Sequence, residues 1–213
     1  MSCTLSNIAG RCTISKMESF RTPGQRAGLT RAAVLGAAQD LLAEKGLESL
    51  TMRALAQRLS VAPNALYSHV TSKTALIDDL LDEVLAEVQA PAPDIADASD
   101  GLYQLMASTY DVLLTHRDLV PLYLARQGAR GSNAQRLGTI MLALLARVNV
   151  HGSAASEALR VLIVYTIGFA AFTTHPPLDA GVDRPVIPAE TLNNFTNGLR
   201  WLLTGITQAS AVS

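Results

Sequence analysis

Apolar residues along this chain recur with helical rather than alternating spacing. Ala33, Val34, Ala37, Ala38, Leu41 and Leu42 fall at i, i+3 and i+4 intervals, which predicts a first helix with one face toward a core. Thr30 precedes it as an N-cap and Gly46 follows it as the residue that ends it. A short second helix is expected after Thr51, with Met52, Leu55, Ala56 and Leu59 inward. Pro63 stands at a first-turn position of a third, where its missing N–H costs nothing. A fourth helix begins near Thr71/Ser72 and carries Leu76, Ile77, Leu80, Leu81, Val84, Leu85 and Val88 until the run QAPAPD stops it. Further helices are expected near 100–116, 118–128, 133–149, 153–175 and 189–207, with HPPLDAGVDRPVIP as the only long break after the fourth. No period-2 strand pattern or internal repeat is present. The predicted fold class is all-α.

Composition adds a boundary and a polarity. At 213 residues, 49% hydrophobic and 16% charged, the chain is long enough for one large or two small domains with a buried core. The net charge is -1, but nine Lys/Arg and four Asp/Glu lie at or before Lys73, against eight Lys/Arg and fourteen Asp/Glu after it. A basic front and an acidic back suit a front that meets a polyanion. Residues 1–28 lack periodicity and are expected to form a flexible arm, with Arg21 and Arg26 close to the first helix and Met17 as a second candidate initiator. Both cysteines, Cys3 and Cys12, lie in this arm, without the spacing of a metal site or a disulfide framework. Neither metal nor cofactor is therefore expected. No apolar run of signal-peptide length opens the chain. The longest apolar block, Val161 to Thr173, is too short to span a bilayer and reads as a buried helix. A cytoplasmic protein without membrane contact is the expectation.

The second and third helices carry the most chemistry. Leu55, Ala56, Leu59, Val61, Leu66 and Val70 form an inward set in which Ala56 permits a close crossing, Val61 plugs the turn and Leu66 locks one helix on the other. This is helix-turn-helix packing, with the second of the pair free to enter a major groove. At 100° per residue, Asn64, Tyr67, Ser68 and Thr71 share the side opposite Leu66 and Val70. Asn and Ser can hydrogen-bond base edges or phosphates. Tyr67 has no core task on such a face and can donate its hydroxyl to a phosphate. Lys73 and Arg53 sit in the first turns of helices 4 and 2, where the dipole disfavours a cation unless an anion is bound there. The competing reading is a plain packing unit, with Tyr67 against helix 1 and His69 as a cap.

The run GLESLTMRALAQRLSVAPNALYSHVTSKTALIDDLLDEVL resembles the N-terminal DNA-binding domain of the TetR (tetracycline-repressor) family over about Leu29 to Leu85. The resemblance implies a three-helix head over 29–75 and a helical effector-binding and dimerisation domain over 76–213. It implies backbone or base contacts from Thr51 and Arg53, base contacts from Ala62, Pro63 and Asn64, and phosphate contacts from Tyr67, His69 and Lys73, with Ser68 on the same face. Ser60 stands where a turn glycine is usual, and Ala62 where a capping Ser or Thr is frequent. Homodimerisation is also implied. The expected surface is the last two long helices, including a stripe of Leu192, Phe195, Leu199, Leu202 and Ile206, four helices from two chains making a bundle.

The middle helices mix apolar walls with phenols and amides, which suits a pocket for a small organic effector. Met106, Tyr110, His116, Tyr123, Gln127, Met141, Tyr165, Phe169 and Phe172 are its candidate residues; core packing is the competing role for each. An enzyme finds no support, since GxSxG, Walker, HExxH and Cys/His metal motifs are all missing. The expected function is a ligand-responsive transcriptional regulator, a homodimeric repressor that binds a palindromic operator in double-stranded DNA and is released by its effector. An activator, or a regulator without an effector, is the alternative.

Overall fold

The computed structural model describes residues 28–174 and 189–210. The expected N-terminal arm before Gly28, with Cys3, Cys12, Met17, Arg21 and Arg26, lies outside them. So does the break containing His175. Among the described residues the chain forms nine α-helices and no strand: α1 Arg31–Lys45, α2 Met52–Arg58, α3 Pro63–Leu66, α4 Lys73–Val84, α5 Ala98–Thr115, α6 Val120–Arg126, α7 Ser132–Arg147, α8 Gly152–Thr174 and α9 Ala189–Ser210. Short 3-10 turns cover 47–49, 85–87 and 117–119.

Local chemistry fixes the helix ends in the head. The hydroxyls of Thr30, Thr51 and Ser72 accept the amides of Ala33, Ala54 and Ala75 at 3.1, 3.1 and 3.0 Å, so three helix starts have a capped donor. Gly46 ends α1 at φ 74, a backbone state that side chains disfavour. The α-helical part of α4 stops at Val84, four residues short of the last position of its apolar stripe. The 3-10 turn then carries on to Glu87, and Val88 stays buried.

Two apolar clusters form. The smaller joins Val34, Leu35, Ala38 and Leu41 of α1 to Leu55 and Ala56 of α2, Leu66 and Val70, and Leu76 and Leu80 of α4. Leu59 and Val61 only flank it, half-buried, rather than filling it as the pattern suggested. The larger cluster gathers α5–α9 and takes Leu81 and Val84 from α4 and Leu85 from the turn that follows it. Ile77 packs against both. Successive turns of α4 thus belong to different cores, and the helix ties them together.

Helix α8 packs on α5, α6, α7 and α9. It runs 23 residues and is long and apolar enough to cross a bilayer by length and composition, so the shorter apolar block understated it. Its Leu162, Thr166, Ile167 and Ala170 are buried in the larger core, while Val161, Val164 and Phe172 are exposed. On α9 the expected dimer stripe is divided. Phe195 and Leu199 are buried within the protomer with Leu203, Leu202 and Ile206 are half-buried, and the exposed apolar residues are Leu192 and Trp201. The reason is aromatic: the Phe195 ring stacks on Tyr110 of α5 with centroids 3.8 Å apart, which turns that face of α9 inward.

The α2–α3 turn stores strain at one residue. Ser60 has φ 53, and the turn closes with the Val61 amide donating to the Ala56 carbonyl at 3.0 Å. A left-handed L-residue costs about 1–2 kcal/mol. Ser60→Gly is therefore expected to raise stability by about 0.5–1 kcal/mol, net of the glycine's extra unfolded-state entropy. The urea midpoint, at unchanged m-value, measures it.

Candidate functional site

The candidate residues of the head lie at its surface. Thr51, Arg53, Ala62, Pro63, Asn64, Tyr67, Ser68 and Lys73 are all exposed and His69 is half-buried. Tyr67 is 51% exposed, which removes the reading that it packs against α1. Helix α3 is a short hydrogen-bonded element, so Tyr67 is its C-cap. Leu66, buried to 0% exposure, anchors it. Pro63, which has no N–H to satisfy, opens α3 with Ala62 as an N-cap that has no side-chain hydrogen bond, and the Ala65 amide donates to the Ala62 carbonyl at 2.9 Å. The Ser68 hydroxyl donates to the Ala65 carbonyl at 2.7 Å, so toward a ligand it acts as an acceptor.

The basic residues of the head divide into two sets. Arg58 is held by Glu44 through two hydrogen bonds of 2.7 Å and by Asp40 at 3.2 Å. Those carboxylates push its pKa up, and Glu44 is lowered in turn by its hydrogen bond with Arg58. Arg31 pairs with Asp79 of α4 at 2.6 Å. Arg53 and Lys73, beside the α3 face in sequence and exposed, have no ion pair or side-chain hydrogen bond among the described residues. Lys45, at the end of α1, is likewise exposed and without an ion pair among those residues, but Arg53 and Lys73 are the free cations in the first turns of α2 and α4, positions that suit phosphate contact.

The second site is a cavity of about 290 Å³ within α5–α8. Met106, Tyr123, Gln127 and Met141 line it, as expected from the sequence. Five other candidates do not. Tyr110 is stacked on Phe195 and hydrogen-bonds Thr173 at 2.8 Å. His116 faces Glu87, with Nε2 3.0 Å from each carboxylate oxygen. Tyr165 donates to the Phe195 carbonyl at 2.9 Å. With Phe169 it borders a separate open groove against α9, which includes Gly198 and Trp201, and Phe172 points outward, 79% exposed. Burial raises the phenol pKa of Tyr110 and Tyr165. Thr109, Arg130, Gln135 and Thr166 were not foreseen in the wall. Thr109 lies three residues from Met106, and Thr166 among Ile163 and Ile167, so helical spacing carried the signal.

Helix α4 is fastened to the cavity wall at three points. Burial and the nearby Asp82 and Glu87 charges push the Tyr123 phenol pKa upward, and its hydroxyl donates to the Leu81 carbonyl. Arg126 gives Nε and Nη2 to the two Asp78 oxygens at 2.7 and 2.6 Å. Asp82, 9% exposed, accepts the amides of Asn133 and Ala134 at 3.1 and 2.9 Å and the Asn133 side-chain amide at 3.3 Å. A carboxylate from α4 thus caps the start of α7, where the helix dipole favours it. No side chain from α7's own N-cap residue, Gly131, does so. A Cβ added at Gly131 would overlap the Asp82 carboxyl.

A polar-faced helix-turn-helix head joined by a shared helix to a hollow helical body defines a DNA-binding transcriptional regulator. Residues 34–80 match the family described as bacterial regulatory proteins, tetR family. An HTH-type transcriptional regulator of Saccharopolyspora erythraea is 33% identical over 140 residues, 66% of this chain and 59% of that protein's length. The tetracycline repressor protein class A from transposon 1721 of Escherichia coli is 32% identical over 151 residues, 70% of this chain and 68% of the repressor. A tetracycline-repressor variant from Acinetobacter baumannii AYE, solved in complex with minocycline, superposes with TM-score 0.72 at 28% identity, over 85% of this chain and 98% of that one. The chain belongs to the TetR family, whose members are transcriptional regulators and not enzymes.

Replacing Gly131 by alanine is expected to expel the Asp82 carboxyl from the α7 N-terminus and destabilise the protein by about 1–3 kcal/mol. In a double-mutant cycle with Asp82→Ala, thermal unfolding will show the two losses to be strongly non-additive.

Proposed function

We propose that this protein is a homodimeric repressor that binds a palindromic operator and is released by a small organic effector in the α5–α8 cavity. The single observation that carries the reading is the three-point attachment of α4 to Tyr123, Arg126 and the α7 N-terminus. It gives an occupant of the cavity a direct mechanical route to the head. Residues 29–75 act as the reading head and 76–213 as the effector and dimerisation part, with α4 serving both. The minocycline complex of the relative from A. baumannii supports a ligand-responsive role. A regulator of this kind works in the cytoplasm, where its operator is.

On DNA, Asn64 reads a base edge, with Ala62 and Pro63 close against the groove. Tyr67, His69, Lys73, Thr51 and Arg53 hold the flanking phosphates, and Ser68 accepts at the same face. The Thr51 oxygen caps Ala54, so its hydroxyl proton is free for a phosphate. Two heads, one DNA turn apart, address the two half-sites. An effector that fills the cavity displaces the α6–α7 wall and with it α4, and the heads lose their spacing. A differential affinity of about 1–3 kcal/mol between the two states lowers DNA affinity roughly 5- to 150-fold.

For the dimer, the exposed apolar residues Val161, Val164 and Phe172 of α8 and Leu192 and Trp201 of α9 offer the surface that a second copy covers. Val164→Arg, at a site 63% exposed in the protomer, is expected to leave the fold intact, shift sedimentation equilibrium to monomer and abolish retardation of DNA. A dimer persisting in this variant would move the interface elsewhere.

Gel-shift titration on the DNA flanking its own gene tests DNA binding. Lys73→Ala is expected to lower the slope of log K against log salt by about one and to weaken all sequences alike. Asn64→Ala is expected to lose about 1–3 kcal/mol of preference at one base position per half-site. Absence of retardation by the wild type at low salt would overturn the proposal.

A further inference from the structure

The cavity wall is asymmetric in charge. Its described lining includes no Asp, Glu or His, and its one charged residue is Arg130. No lining residue neutralises an ammonium group or ligates a metal ion, and the two carboxylates near Tyr123 are engaged elsewhere, Asp82 by the Asn133 and Ala134 amides and Glu87 by His116. Arg130 follows the α6 C-cap, where Gln127 and Gly128 take positive φ values of 56 and 93. It is exposed and has no ion pair or hydrogen bond among the described residues. Its neighbours are committed: Arg126 to Asp78, and Arg136 to the Leu85 carbonyl at 3.5 Å.

The remaining polar groups orient a ligand. The Thr109 hydroxyl donates to the Leu105 carbonyl at 2.8 Å, that of Thr166 to Leu162 at 2.9 Å, and that of Tyr123 to Leu81. The donors of the inner wall are therefore spent within the protein. Donors still available to a ligand, Arg130 with the exposed amides of Gln127 and Gln135, gather on the α6–α7 side. A guest finds apolar walls inward and a cationic, donor-rich edge outward.

We propose that the cavity takes an amphiphilic organic anion, an apolar body whose carboxylate meets Arg130. This rests on the reading of the cavity as the effector site. At ~30 Å³ per water-sized group, about 290 Å³ holds on the order of ten non-hydrogen groups, which sets the probe. Carboxylate at Arg130 also places the ligand's charge on the segment between α6 and α7. There it acts on the stretch that leads to Gly131 and the Asp82 cap.

The test uses the full chain and three ten-carbon probes at submicellar concentration: decanoate, decanol and decyltrimethylammonium, each titrated calorimetrically. Decanoate is expected to bind about tenfold more tightly than decanol, the scale of one charge-assisted hydrogen bond, and the ammonium probe to bind weakest. Arg130→Gln should bring decanoate within about twofold of decanol, and Arg130→Lys should restore part of the gap. Equal or tighter binding of the ammonium probe overturns the inference, as does a decanoate preference that survives Arg130→Gln, or failure of all three probes to bind. Met141→Trp, which fills the cavity, separates this from the underlying reading. If it abolishes binding of both decanoate and decanol while neither was preferred, only the anion assignment falls. If decanoate binds the filled variant unchanged, the cavity is not the site and both readings fall.

Discussion

The arrangement depends on one carboxylate that crosses between two parts of the fold. Asp82 leaves α4 and caps the first turn of α7, taking three N–H donors in a nearly buried position. If α7 moved alone, that carboxyl would be left without donors, which costs several kcal/mol for a buried charge. If α4 moves with it, the hydrogen bonds survive. Concerted motion is thus the cheaper path, and the Asp78–Arg126 and Tyr123–Leu81 contacts reinforce it. The same helix supplies Leu76 and Leu80 to the core of the head, so a displacement of the cavity wall reaches the α2–α3 pair through rigid packing.

Charge is assigned with comparable economy in the head. Arg58 and Arg31 are fastened to carboxylates and serve the fold, whereas Arg53 and Lys73 are left to solvent on the polar side. The sequence alone counts these four alike among the nine Lys/Arg of its basic front. The distinction needs partners fourteen or more residues away to be placed in space, as with Arg58 and Glu44 or Arg31 and Asp79. Base readout remains sparse in donors: Asn64 is the one side chain of the first turn of α3 that both donates and accepts. On the proposed reading, phosphate contacts would supply affinity and groove shape much of the discrimination.

Legibility followed the range of the interactions. Helix number, order and starts were readable because periodicity, Thr30, Thr51 and Ser72 caps, Pro63 and Gly46 act within a few residues. The outward face of α3 was readable for the same reason. Which apolar residues of α9 turn inward was not, since Phe195 faces α5 because of a stack with Tyr110 eighty-five residues earlier. Nor was the wall of the cavity fully readable: aromatic content suggested Tyr110, Tyr165 and Phe169, but these rings pack on one another and on Phe195. Thr109, Thr166, Arg130 and Gln135, of ordinary appearance in the sequence, join the foreseen Gln127 in the wall instead. Asp82 was hidden because a polar residue beside an apolar stripe has no meaning until its partner's helix start is known.

The position of the chain's one tryptophan has an optical consequence. Trp201 is 76% exposed on the outer side of α9, next to the groove that Tyr165 and Gly198 border and on a different helix from any that lines the α5–α8 cavity. Its indole meets water in a lone protomer, and in the proposed dimer a second copy over α8 and α9 would enclose it. On that reading the emission colour of Trp201 would report association of chains, while an occupant of the cavity would meet no tryptophan. The tryptophan would thus report pairing of chains separately from occupancy of the cavity.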